Sequence, residues 1–296
     1  MIVAESSSIS PRYSMSLSAH DVHVWRLRLE QPELCAGEFV SMLSGEERRR
    51  ATRFRFEKDR KRFIAGRGVL RLILAFYLNT EPEQLQFSYG AYGKPYVPQG
   101  SCEMAVQFSL CHSHEVALYA FALGRNVGVD VEHVRHFPDI EQMSTRYHTE
   151  KENAVFKPLP TSQKVRAFFQ SWTRKEAYLK GIGTGLAQPP ERIDASMAPG
   201  ESPPTINTQE DAVETSGWSM ASFTPDPDYV AALAIEGHDW RFHRILSPMV
   251  FGFSRPQNAG WVRRNRDQLL RIGGTRALCG LETIVYGHCP TSPVSA

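Results

Sequence analysis

The sequence predicts a mixed α/β (α+β) fold made of two similar α/β subdomains in one chain. Three observations lead there. The chain has 296 residues, more than one domain usually holds. Its 42% hydrophobic and 22% charged residues are ordinary globular proportions, enough to bury a sizeable core without staples. Each half also carries short stretches of strand periodicity and one long stretch of helical periodicity. No residue-level repeat relates the halves.

Residues 1–18 are serine-rich and aperiodic, a disordered lead-in. Residues 22–29 alternate apolar and polar, the signature of a half-buried strand. Ser44, followed by Glu46 and Glu47, marks a helix start: a hydroxyl cap with acids in the first turn. Helical spacing then continues, with a break near Phe56, through Phe63, Leu70, Ile73, Leu74 and Tyr77 to Asn79. Strands are expected at 86–89, 104–109, 116–122 and 128–132. Helices follow Pro138 and Thr149, and a long one runs from about 162 to 180 until Gly181, Gly183 and Gly185 stop it. The proline-rich stretch 188–217 reads as a surface loop, and strands are expected at 218–223, 229–235 and 240–245. Periodicity then fades, apart from a short helix at 261–272. The expected division is a lead-in (1–18), a first subdomain (19–125), a second (126–245) and an appended, poorly ordered tail (246–296).

Net charge is only +2, but between residues 44 and 71 eleven Lys/Arg accompany four Asp/Glu. That argues against whole-protein attraction to nucleic acid and allows a local anion site, although a solvated helix face would look the same. The longest apolar patch, 69–78, is too short for a bilayer and contains Arg71. Residues 1–6 lack a basic region followed by an apolar one, so no secretory signal is expected. Cys35, Cys102, Cys111, Cys279 and Cys289 are odd in number and form no CxxC pair, which argues against a disulfide framework or a zinc module. A reducing, cytoplasmic setting with no membrane partner is the expectation, and a monomer the simpler state.

Two segments carry chemistry. In Gly128-Val129-Asp130-Val131-Glu132 the two carboxylates are two apart on a strand and emerge on one face. Unpaired, each would raise the other's pKa, so a bound cation or a cationic partner resolves them. Some forty residues later, Trp172, Glu176 and Lys180 share a helix face at i, i+4 and i+8, with a glycine run behind them. Taken alone, the first pair could simply bridge to arginines and the second could be a surface ion pair. Together they suit a magnesium-pyrophosphate site.

The order Gly-Val-Asp-Val-Glu, then Trp-x-x-Lys-Glu-Ala-x-x-Lys-x-x-Gly-x-Gly-Leu, resembles the Sfp-type 4′-phosphopantetheinyl transferases of the holo-[acyl-carrier-protein] synthase superfamily. Tyr92-Gly93-Lys94-Pro95-Tyr96 is similar to the family's Gly-Lys-Pro element, and Phe108-Ser109-Leu110-Cys111-His112-Ser113 to its Phe-Asn-x-Ser-His-Ser element. The resemblance implies a pseudo-two-fold fold with the active site between the subdomains. It implies transfer of phosphopantetheine from coenzyme A to a serine of an acyl, peptidyl or aryl carrier protein. Asp130, Glu132 and Glu176 would ligate Mg²⁺ (or Mn²⁺). Lys180 would contact the transferring phosphate and Glu176, or a water, would take the serine proton. Lys94 and His112 would hold the nucleotide end, with Arg50 and Arg62 at phosphate-binding places and Lys175 as an anion-facing or structural neighbour. The basic segment, or the apolar residues near Phe168 and Phe169, would dock the carrier, with helix core the expected place of at least one of those two phenylalanines.

Ser109 and Cys111 depart from the family's asparagine and serine, and a thiol hydrogen-bonds poorly, so a side-chain contact to phosphate there should be weaker. The pair His112 and His114 lacks the further ligands zinc needs. Two rival readings use the same residues: a metal-dependent phosphohydrolase acting on coenzyme A-like pyrophosphates, and a non-catalytic carrier- or RNA-binding module built on the patch 48–62.

Overall fold

The computed structural model describes residues 17–29, 36–99, 104–195, 206–208, 217–246 and 281–285. The expected helix at 261–272, most of the lead-in and all cysteines except Cys111 lie outside them. In the first half, β1 (Asp21–Arg28) leads through α1 (Ala36–Met42) and α2 (Gly45–Ala51) to α3 (Glu57–Leu78). A small hairpin, β2 (Ser88–Tyr89) and β3 (Pro95–Tyr96), precedes the long hairpin of β4 (Val106–Ser113) and β5 (Val116–Leu123). Ser44 caps α2 as expected: its hydroxyl accepts the Glu47 amide, and the Glu47 carboxylate accepts the Ser44 amide.

The second half repeats the plan. It runs β6 (Val127–His133), α4 (Ile140–Tyr147), α5 (Glu150–Phe156), α6 (Thr161–Ile182), β7 (Ile193–Ala195), β8 (Ile206–Thr208), β9 (Trp218–Phe223) and β10 (Tyr229–Glu236). In the first sheet the inner order is β1-β5-β4, and in the second it is β6-β10-β9. Each unit is therefore a strand, a 22-residue helix (α3 or α6) and a hairpin whose last strand returns to the middle. The pseudo-two-fold relation lies in this connectivity, which is why residue identity does not show it.

The two sheets face one another. Val22, Val24, Val116, Leu118, Ala120 and Ala122 of the first meet Val127, Val129, Val131, Leu233 and Ile235 of the second in one buried cluster. Each fully buried aliphatic side chain contributes about 1.5–3 kcal/mol, so this seam is a core rather than a loose domain contact. On the outer faces α3 covers Trp25, Leu27 and Tyr119, and α6 covers Ala232 and Ala234. Because β1 is covered on both faces it is buried throughout residues 21–25, where its alternation suggested half-burial.

Three other expectations change. The loop expected at 188–217 contains a short antiparallel pair, β7 with β8. The strand near 240, β11 (Arg241–Leu246), leaves the second unit and pairs in parallel with β1. Within the expected tail, β12 (Leu281–Val285) pairs with β11, giving the five-stranded order β12-β11-β1-β5-β4. Arg67 and Arg71 do not belong to an anion-binding face. Both are buried against Glu47, at 2.9 Å and 2.7 Å.

Candidate active site

The site begins with a glycine. Val127, Val129 and Val131 of β6 face the seam, so Gly128, Asp130 and Glu132 face α6. A Cβ on Gly128 would lie 1.9 Å from the Ala177 carbonyl oxygen and 2.3 Å from the Gly181 nitrogen. Helix backbone thus rests directly on strand backbone. Lys94 fastens the same junction from the first subdomain, donating to the carbonyls of Val127 (3.2 Å) and Gly181 (2.7 Å). Burial pulls its pKa down to about 8, partly opposed by Glu236.

This close approach carries Lys180 to Asp130 and sets Glu176 within electrostatic reach of both strand carboxylates. Lys180 donates to Asp130 Oδ1 at 2.5 Å. Burial raises the pKa of Asp130, with Lys180 opposing. Burial likewise raises Glu132, opposed by the Ser113 hydroxyl and reinforced by Asp130. Glu176 is raised by burial and again by Asp130 and Glu132, with Lys180 opposing. Lys180 itself loses hydration, yet Asp130 and Glu176 hold its ammonium above the usual range. Three carboxylates therefore sense one another around a single lysine. Asp130 Oδ2 and Glu176 Oε1 are both buried without a hydrogen-bond partner. Two orphaned anionic oxygens, one from the strand and one from the helix, fit a divalent cation, which satisfies lone pairs that no donor reaches.

Across the seam, His112 of β4 keeps an exposed edge while much of its imidazole packs against protein. Lost hydration, then the nearby cations Lys180 and Arg62, hold its imidazole below the usual pKa. Lys94, Tyr92, Gln107, Asn126, Ile182 and Gly183 line an adjoining cleft of ≈ 640 Å³ between the subdomains.

A family model described as the 4′-phosphopantetheinyl transferase superfamily matches residues 126–234, and one for the N-terminal part of 4′-phosphopantetheinyl transferases matches residues 31–123. The 4′-phosphopantetheinyl transferase HetI of Nostoc sp. is 39% identical over 77% of this chain and 93% of its own. The chain belongs to the 4′-phosphopantetheinyl transferase family. A phosphopantetheinyl transferase of Thraustochytrium sp. is 28% identical over 73% of this chain and 79% of its own. The 4′-phosphopantetheinyl transferase Sfp of Bacillus subtilis is 24% identical over 64% and 86%. Family membership decides for a transferase over the hydrolase and binding-module readings. No helix among the described residues is long and apolar enough to cross a membrane.

Within this transferase, some residues singled out by sequence stand elsewhere. Lys175 faces away from Lys180 and is fully buried, donating to Glu152 (2.6 Å) and to the carbonyls of Tyr147 (2.7 Å) and Pro190 (3.1 Å). Its three protons are used, so it is a structural residue and not a coenzyme contact. Phe168 and Phe169 are buried with Phe156 and Val230, which removes them as a docking surface. Arg50 stacks over Phe63 at 5.3 Å and lines, with Arg49, Arg53, Glu46 and Phe54, a second groove of ≈ 490 Å³. Cys111 points into the seam, where burial pushes its thiol far up, so it offers no side chain to a phosphate.

One triad of metal-type ligands, Asp21, His23 and His243, has ligand atoms all within 4.8 Å of one another. It is better described as a closed hydrogen-bond network. Asp21 already accepts from Ser18, from His243 at 2.9 Å and from Arg241 at 2.9 Å, while His23 shares a hydrogen bond with Tyr77 at 2.7 Å. The network fastens β11 to β1.

Proposed function

We propose that this transferase moves 4′-phosphopantetheine from coenzyme A to a serine hydroxyl of an apo acyl, peptidyl or aryl carrier protein, with Mg²⁺ (or Mn²⁺), releasing adenosine 3′,5′-bisphosphate. The orphaned oxygens of Asp130 and Glu176, one on the strand and one on the helix that Lys180 joins, carry this reading. Asp130, Glu132 and Glu176 would hold the ion. When bound, the ion neutralises pyrophosphate charge as a Lewis acid.

The remaining roles belong to the chain. Lys180 is held cationic and stabilises the charge that develops on the transferring phosphoryl group. The carrier serine oxygen bonds to the β-phosphorus as the bridging phosphoanhydride bond breaks, and the departing oxygen keeps the electron pair. Glu176, on the helix face shared with Lys180, would accept the serine proton directly or through a water. His112 and Arg62 would meet the phosphates at the nucleotide end, with Arg50 at a further phosphate-binding place in the groove beside Phe54. Lys94 acts by clamping the cleft.

The deciding experiment is mass spectrometry of apo-carriers after incubation with coenzyme A, with and without Mg²⁺. A phosphopantetheine adduct on serine that requires the ion supports the proposal. Release of phosphopantetheine to water with no carrier present would reinstate the hydrolase. His112→Ala is expected to raise KM for coenzyme A roughly tenfold, the loss of one charge-assisted hydrogen bond, with kcat little changed. Steady-state kinetics at saturating carrier checks this.

Stability offers a test without turnover. Asp130, Glu132 and Glu176 have folded pKa values above their ordinary ones, so the native state binds more protons than the unfolded chain. Their contribution is favourable in acid and is lost as pH rises through the raised values. Mg²⁺ should therefore raise the melting temperature more at pH 7.5 than at pH 5. An equal effect at both would argue against these ligands.

A further inference from the structure

Two serines of β4 meet the outer strand of the opposite sheet. Ser109 and Ser113 lie four apart, and their hydroxyls accept the amides of Val129 (3.2 Å) and His133 (3.1 Å), also four apart on β6. Side chains here stand in for a backbone ladder between the subdomains. A serine hydroxyl has two lone pairs and only one proton. With the His133 amide fixing one lone pair of Ser113, the proton is aimed at Glu132 Oε2, 2.7 Å away. Ser113 is buried, so water does not compete freely for that proton. Its chain neighbour is His112, which places a group of the nucleotide end and the tether of Glu132 on one rigid strand.

We propose that Ser113 is a positioning residue that orients the Glu132 carboxylate for the divalent ion from across the subdomain seam. This rests on the metal reading above. The hydroxyl holds one Glu132 oxygen and so fixes the direction in which the other can face an ion. Ser109 does not share the role, because its hydroxyl meets backbone and no carboxylate.

The test is titration of Mn²⁺, followed by the paramagnetic resonance signal of free ion, with coenzyme A present and carrier omitted. Ser113→Ala should weaken Mn²⁺ binding by roughly 10–100-fold, as loss of a supporting partner of a metal ligand does elsewhere. Ser113→Cys, which keeps the shape with a poor donor, should behave likewise if alanine prevents folding. Ser113→Thr, which keeps the hydroxyl, should restore binding to within a few-fold. In turnover assays with carrier, the alanine variant should show a raised KM for Mn²⁺ and recover kcat at saturating ion. Wild-type affinity in both the alanine and cysteine variants would overturn the positioning role alone. Equal loss in all three variants would also overturn it, since the hydroxyl would not be the cause. Failure of the wild-type protein to bind Mn²⁺ would sink the metal reading, and this proposal with it.

Discussion

Glu176→Gln is expected to lower turnover by roughly 10²–10³ while leaving the fold intact. Glutamine keeps the shape and removes the charge, so the effect isolates what the carboxylate does. In the proposed reaction Glu176 loses two functions at once, as an oxygen for the ion and as the acceptor of the serine proton. Both act on the reacting phosphate, so kcat should fall together with kcat/KM. Without an ion, the same change removes a charge whose burial, reinforced by Asp130 and Glu132 and opposed by Lys180, raises the Glu176 pKa. The melting temperature of the variant should therefore equal or slightly exceed that of the wild type without metal. Kinetics over a range of Mg²⁺ and a thermal melt check both halves. Near-normal turnover would remove Glu176 from the centre of the site.

Lys175→Ala is expected to act in the opposite way, costing about 3–5 kcal/mol of stability, because it leaves Glu152 charged in the interior. Glu152 is almost fully buried and also accepts the amides of Thr149 (2.7 Å) and Ala195 (3.1 Å) and the Ser171 hydroxyl (2.8 Å). It links the start of α5, the middle of α6 and β7, so its partner supports three elements. For a chain of this size that loss corresponds to a fall of roughly 6–20 °C in melting temperature. Protein that remains folded should keep its KM for coenzyme A. Replacing both partners, as Lys175→Met with Glu152→Gln, should recover part of the loss. If Lys175→Ala instead kept its melting point and raised KM, the lysine would have to face the coenzyme after all.

Those two neighbours show what was legible in the sequence. Glu176 and Lys180 are four apart and share a helix face, and the alternation of Asp130 and Glu132 on β6 fixed theirs. Lys175 is one residue from Glu176 and so turned by about 100° around the helix, toward α5. The resemblance left Lys175 as anion-facing or structural, and its turn away from Glu176 and its bond to Glu152 favour the second. The Ser44 cap and the long helices were also readable, because they depend on local chemistry. Gly128 was visible as a residue but not as a contact, since the helix it admits lies some fifty positions away. The pairing of β11 with β1 joins residues 21 and 241, a separation that no local pattern encodes. Ser113 was quoted within a motif, yet its partner Glu132 belongs to the other subdomain.

The parallel strand β11 has a consequence for how the protein is made. The polypeptide emerging from the ribosome can form β1, α3 and the β4–β5 hairpin early, but one flank of β1 stays open until residues 241–246 arrive. Such an exposed strand flank invites pairing with another nascent chain. Maturation of the first half therefore waits on synthesis of the second, and a fragment stopped near residue 125 should clump rather than fold.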